Sequence, residues 1–213
     1  MESIEFQAHI TTEKLTDTNK YIQLCENNKV KPVLIKLDSG DYYDQPMYTQ
    51  NFVAQNLKQA LQEVEKTKII FEQNGFKTVR TKLEIPPNSI MEFFHASYGS
   101  KLEDFVQVMH NCYLECHIKV KYDDLNILKQ ISNKVDFYLS QNDIELGYRF
   151  LSKRLYNTQN LDSISQVLLY NLFDIENLHS YLKQHNIEIV KEKFEYCVYD
   201  SRITLDKNWG QDR

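Results

Sequence analysis

Phe6-Gln7-Ala8-His9-Ile10 returns, 108 positions later, as Leu114-Glu115-Cys116-His117-Ile118. In each stretch every second residue is apolar and the others are polar, and that period of two marks a half-buried strand. A second pair of stretches sits 111 positions apart: Val79-Arg80-Thr81-Lys82-Leu83-Glu84 and Val190-Lys191-Glu192-Lys193-Phe194-Glu195. Each half of the chain thus opens on a strand with one His and closes on one that reads Val-basic-x-Lys-apolar-Glu.

The segments between these anchors supply the rest of each unit. Asp17 is a helix N-cap, and Tyr21, Ile22, Leu24 and Cys25 recur at helical spacing until Asn27-Asn28. Val33 to Leu37 is strand-like and runs into the turn Asp38-Ser39-Gly40-Asp41, after which Gln45 to Thr49 forms a third strand with Pro46 near its start. Leu57 to Phe71 suits a helix with Gly75 after its end, and Val79 to Ile85 closes the unit. The second half gives a strand at 113–121, a helix over 123–134, and strands at 136–141 and Tyr148–Tyr156. A long helix over 162–185 and a strand from Ile187 to Tyr199 complete it. Each order is β-α-β-β-α-β, so the expected fold is α+β: tandem duplicated ferredoxin-like repeats whose antiparallel sheets form a cleft or a barrel-like groove. The expected divisions are 1–87 for the first repeat, 88–111 for a connector with helical character around 100–109, 112–200 for the second repeat and 201–213 for a tail.

With 213 residues, 26 % of them charged and 12 % aromatic, the chain has the composition of a globular protein. A net charge of −5 argues against bulk attraction to nucleic acid. The most basic stretch, Tyr148 to Arg154, lacks the signature of an RNA-binding sheet. Five glycines form no phosphate loop. No apolar run approaches membrane-spanning length, and the expectation is a cytoplasmic protein with no membrane partner. Cys25, Cys112, Cys116 and Cys197 lack zinc-binding spacing and are expected to be reduced, structural residues.

Helices cover one side of a ferredoxin-like sheet, and strand alternation places His9, Thr11, Arg80, Lys82 and Glu84 on the other. The second half places His117, Lys119, Lys191, Lys193 and Glu195 likewise. A single such face is ordinarily solvated. Two of them facing each other would shield what lies between and form a cationic groove for a polyanion.

His9-Ile10-Thr11 resembles the His-x-Thr element of the two-histidine phosphoesterases, although the second copy reads His117-Ile118-Lys119. The inward Lys, Arg and Glu resemble the lining of triphosphate tunnel enzymes in layout. A wider resemblance runs through Phe6 and His9, Gln45-Pro46-Met47, Arg80-x-Lys82-x-Glu84, Tyr113 with His117, Arg149-Phe150, Tyr199-Asp200-Ser201, Leu205-Asp206 and Trp209. In these the chain is similar to a mostly bacterial family of uncharacterised proteins built from two ferredoxin-like repeats.

The expected function is binding of a phosphorylated or anionic small ligand between the repeats, with cleavage of a phosphoester or phosphoanhydride. His9 and His117 are the candidate acid–base pair, since imidazole titrates near neutrality. Thr11, Arg80, Lys82, Lys119, Lys191 and Lys193 are the candidate ligand-binding residues. Glu84 and Glu195 are the candidate ligands of a divalent metal. The competing expectation is a non-catalytic binding or protein-interaction module whose charged sheet faces are structural.

Overall fold

The computed structural model describes residues 3–38, 42–99, 112–156 and 174–206. Eight antiparallel strands close into one barrel: β1 (Ile4–Thr12), β2 (Lys31–Leu37), β3 (Asp44–Ala54), β4 (Thr78–Ile85), β5 (Tyr113–Lys121), β6 (Tyr138–Asn142), β7 (Tyr148–Tyr156) and β8 (Glu188–Asp200). Around the wall the order is β1-β3-β2-β6-β7-β5-β8-β4. The first four strands therefore lie as β4-β1-β3-β2 and the last four as β8-β5-β7-β6, the same order in both halves.

Of the two expected arrangements, cleft or barrel-like groove, the closed barrel is the one observed. The two sheets join edge to edge, β2 to β6 and β4 to β8, instead of facing each other across open space. The physical reason is the unpaired backbone groups that four sheet edges would expose; closure pairs them all.

Five α-helices are found among the described residues: α1 (Thr18–Asn27), α2 (Leu57–Gln73), α3 (Ile90–Tyr98), α4 (Leu125–Val135) and α5, helical over 174–184. The sequence rules for their ends hold. Asp17 accepts the Lys20 N–H, Asn56 the Gln59 N–H and Asp124 the N–H groups of Asn126 and Ile127. Gly75, just past α2, takes φ +91, which favours glycine. The helix α3 falls at the start of the segment expected to be a connector, while 100–109 and 162–173 lie outside the described residues.

Two apolar cores lie between the helices and the barrel wall. Phe6, Ala8 and Ile10 of β1 pack with Tyr21 and Cys25 of α1, Val64 and Phe71 of α2, and Phe93 of α3. Cys116, Ile118 and Val120 of β5 pack with Leu128 and Ile131 of α4 and with Leu178 and Leu182. The alternation of each strand thus sends its apolar residues outward to the helices and its polar ones into the barrel. All four cysteines are buried and none forms a disulfide. Burial pushes the thiols of Cys25, Cys112 and Cys116 up to about 12, so they are inert.

Candidate functional site

The barrel encloses a cavity of about 340 Å³, and seven basic side chains line it against four acidic ones. Every residue expected on the helix-free faces except Glu84 is among the lining residues, and Glu84 sits directly behind His9. These faces are far from wet: Arg80 is 4 % exposed, Lys82 9 % and Glu84 0 %. Closing the barrel converts what one sheet would leave to solvent into a buried ionic interior.

The histidines occupy matched positions. His9 faces Thr49 of β3 and Lys82 of β4; His117 faces Ser152 of β7 and Lys193 of β8. His9 Nε2 is 3.0 Å from Glu84 Oε2, and its Nδ1 is 3.0 Å from Thr49 Oγ1. His117 Nε2 is 3.2 Å from Glu115 Oε2, and its Nδ1 is 2.8 Å from Ser152 Oγ. A carboxylate only accepts, so in the neutral form of either ring Nε2 carries the proton and Nδ1 accepts from the hydroxyl.

Lys82 links the two arrays. Its ammonium lies 2.5 Å from Glu84 Oε1 and donates at 2.5 Å to Glu115 Oε2, so an ionic chain runs from His9 through Glu84, Lys82 and Glu115 to His117. Arg154 also binds Glu115. Burial alone would raise both carboxyls. Arg154, Lys82 and the hydrogen bond from His117 outweigh it at Glu115; Lys82 and His9 do so at Glu84. Both end well below the usual carboxylate range. Glu195 behaves oppositely: burial and the neighbouring Glu84 charge raise its carboxyl, and Lys193 offsets them only in part. His9, Glu84 and Glu195 each offer a ligand atom within 4.8 Å of the others, as do Glu84, Glu115 and His117.

The two barrel ends differ. At one, the short helix Ile203–Asp206 turns inward: Asp206 accepts from Arg80 at 2.7 Å, from Arg154 at 2.6 Å and from the Gln45 amide at 2.5 Å. Arg80 also holds Asp200 through two hydrogen bonds, and the Tyr113 hydroxyl donates to Asp200 at 2.6 Å. Burial opposes ionisation of both aspartates, but the arginines keep them below their ordinary values. Asp206 of this seal belongs to the segment 201–213 expected as a tail; Trp209 lies outside the described residues.

The other end is open and cationic. Lys31, at the start of β2, is 62 % exposed, and Lys193 is 35 % exposed. Lys119 faces Lys191 directly across the β5–β8 ladder. Glu145 pairs with both Lys31 and Lys119, while no carboxylate among the described residues pairs with Lys191. The Lys119 ammonium also sits 4.0 Å from the centre of the Tyr148 ring.

The expected site residues therefore divide. His9, His117, Lys82, Glu84 and Glu195 meet at mid-barrel; Lys119, Lys191 and Lys193 lie towards the open end; Thr11 and Arg80 lie towards the sealed one. Arg80 and Lys82 are already saturated by carboxylates, Asp200 and Asp206 on Arg80, Glu84 and Glu115 on Lys82, and of these four only Glu84 was among the expected site residues. Glu115 had a signal, its i, i+2 spacing from His117 on one strand face. Thr49 and Ser152 had none, because only the cross-strand register brings them to the imidazoles. His95 is exposed and outside the cavity, and His110 lies outside the described residues.

No family model matches the chain, and no curated protein matches it. Two solved structures are similar at a low level. A provisionally named monooxygenase from Fusobacterium nucleatum subsp. nucleatum is 12 % identical over 98 % of this chain and 97 % of its own, with a TM-score of 0.31. A provisionally named glycine cleavage system transcriptional repressor is 10 % identical over 91 % of this chain and 96 % of its own, with a TM-score of 0.24. Similarity of this degree assigns no activity.

Proposed function

We propose that the barrel admits a small phosphorylated or otherwise anionic ligand through its open end and cleaves a phosphoester or phosphoanhydride bond with His9 and His117. The observation that carries this reading is the Lys119–Lys191 pair. Like charges directly opposite on adjacent strands repel, and with Lys31 and Lys193 nearby the four lysines outnumber their two carboxylates, Glu145 on Lys31 and Lys119 and Glu195 on Lys193, which leaves Lys191 without one among the described residues. An anion between them relieves that repulsion and gains charge-assisted hydrogen bonds. Arg80 and Lys82 act one step back, holding the carboxylates that orient the histidines. Glu84 and Glu195, with His9, supply the donor set for a divalent cation, which would also relieve the repulsion between the two carboxylates.

We further propose that the two halves descend from one duplicated β-α-β-β-α-β unit, in keeping with the bacterial two-repeat family. The support is the shared strand order and the matched registers around His9 and His117.

The competing reading is non-catalytic binding, and one observation favours it: both nitrogens of each imidazole already have protein partners. Two measurements separate them. Titration calorimetry with pyrophosphate should show binding that weakens at least about tenfold in Lys119→Ala/Lys191→Ala. Hydrolysis of linear and cyclic nucleotides should be detectable and lost in His9→Ala/His117→Ala. Equal background turnover in both proteins removes the enzyme and leaves the binding module.

A further inference from the structure

Resting on the reading of the cavity as a phosphoester site, we infer that Ser152 is its nucleophile, activated by His117 and held in place through Glu115. The Ser152 hydroxyl, the His117 ring and the Glu115 carboxylate form one hydrogen-bonded line with steps of 2.8 and 3.2 Å. All three side chains line the cavity. A hydroxyl donating to a neutral imidazole whose far nitrogen is held by a carboxylate is the arrangement that turns a weak nucleophile into a strong one.

Glu115 suits the third position. Lys82 and Arg154 hold it as a carboxylate, which fixes the proton on Nε2 and leaves Nδ1 as the base facing Ser152. Lys193 faces His117 across the β5–β8 ladder, and Lys119 lies two residues further along β5. Both bring positive charge to a row where phosphoryl oxygens would gain charge.

The matching line Thr49–His9–Glu84 is the weaker candidate for the same role. Its hydroxyl step is 3.0 Å, its hydroxyl is on a branched carbon, and its carboxylate shares its surroundings with Glu195. The structure therefore assigns the two histidines different tasks, with His117 serving the nucleophile.

The step balances without a co-reactant other than water. Ser152 Oγ bonds to phosphorus, its proton passes to His117 Nδ1, and the bond from phosphorus to the leaving oxygen breaks. That oxygen takes the proton from Nδ1. Water then attacks phosphorus and gives its proton to Nδ1; the Oγ–P bond breaks, and Oγ recovers the proton.

The test uses diisopropyl fluorophosphate, which reports an activated hydroxyl whatever the natural substrate: the Oγ–P bond forms, P–F breaks and fluoride leaves. Peptide mapping by mass spectrometry should place one adduct on Ser152. Ser152→Ala should abolish it, and His117→Gln should slow it about a hundredfold, the scale of a lost general base. Pyrophosphate titration of the same variants checks that the cavity is intact. No adduct in wild type that still binds pyrophosphate overturns the nucleophile and leaves the binding proposal standing. So does labelling of His117→Gln at the wild-type rate. Labelling of Ser152 in a protein that fails to bind pyrophosphate supports the nucleophile and removes the anionic ligand.

Discussion

Glu195 and Glu84 occupy one neighbourhood with opposite fates. Glu84 is held ionised by Lys82 and His9, whereas Glu195 is raised above its ordinary value of 4.5 by burial and by the Glu84 charge. A raised folded-state value means that the contribution of Glu195 to stability is fully present below the ordinary value. It is lost as pH rises through the raised one. Glu195→Gln should therefore raise the melting temperature at pH 7 by a few degrees and change it little at pH 4. An equal change at both pH values, or a lower Tm at pH 7, would refute the pairing. Glu84, Glu115, Asp200 and Asp206 carry the opposite sign, their lowered values giving stability that is lost as pH falls below the ordinary 4.5 and 3.8. Wild type should consequently unfold in acid across that range. His9 and His117 stood out in the sequence because each is the one His on an alternating strand, at matched positions of the two halves. Their hydroxyl partners did not, because Thr and Ser in strands are common and only the ladder selects Thr49 and Ser152.

At the scale of elements, the two seams that close the barrel are unequal. β4 and β8 pair over Lys82 to Ile85, while β2 and β6 share only Ile35↔Asn142, Lys36↔Gln141 and Leu37↔Ser140. Asn142 reinforces the short seam with its side chain, accepting the N–H groups of Leu34 and Ile144, and the Asp143 N–H donates to the Leu34 carbonyl. Asn142→Ala leaves those donors unpaired and should cost about 1–3 kcal/mol. Amide exchange should quicken at Leu34 to Leu37 before it does in β1 or β5. Uniform acceleration throughout the barrel would argue against a local seam. The elements themselves were legible. The strands flanking each His, the N-cap Asp17 and the glycine after α2 all follow from local chemistry. The helix α3 was less so, because Phe93 and Phe94 bury against β1 and α2 and not within a repeating local pattern.

At the scale of the molecule, each half supplies edges to the other and buries charges belonging to both. Lys82 of the first half binds Glu115 of the second, Arg80 binds Asp200 and Asp206, and Lys193 binds Gln7. Neither half can satisfy its buried charges alone, and removing one partner of such a pair costs about 3–5 kcal/mol. The protein should unfold in one cooperative transition, with amide exchange in the β1 and β5 regions reporting the same free energy. Separate transitions for the two halves would show that the ionic chain does not couple them.

The alternation in Phe6–Ile10 and Leu114–Ile118 was enough by itself to determine these two strands and their polar faces, because a period of two is a local property of the chain. Whether the polar faces met water or each other was decided only by the closure of β2 on β6 and β4 on β8. That closure depends on the pairing of backbone groups far apart in sequence, which no local pattern records. It also decided which hydroxyl meets each imidazole, and that Lys191 has no carboxylate partner among the described residues at the open end.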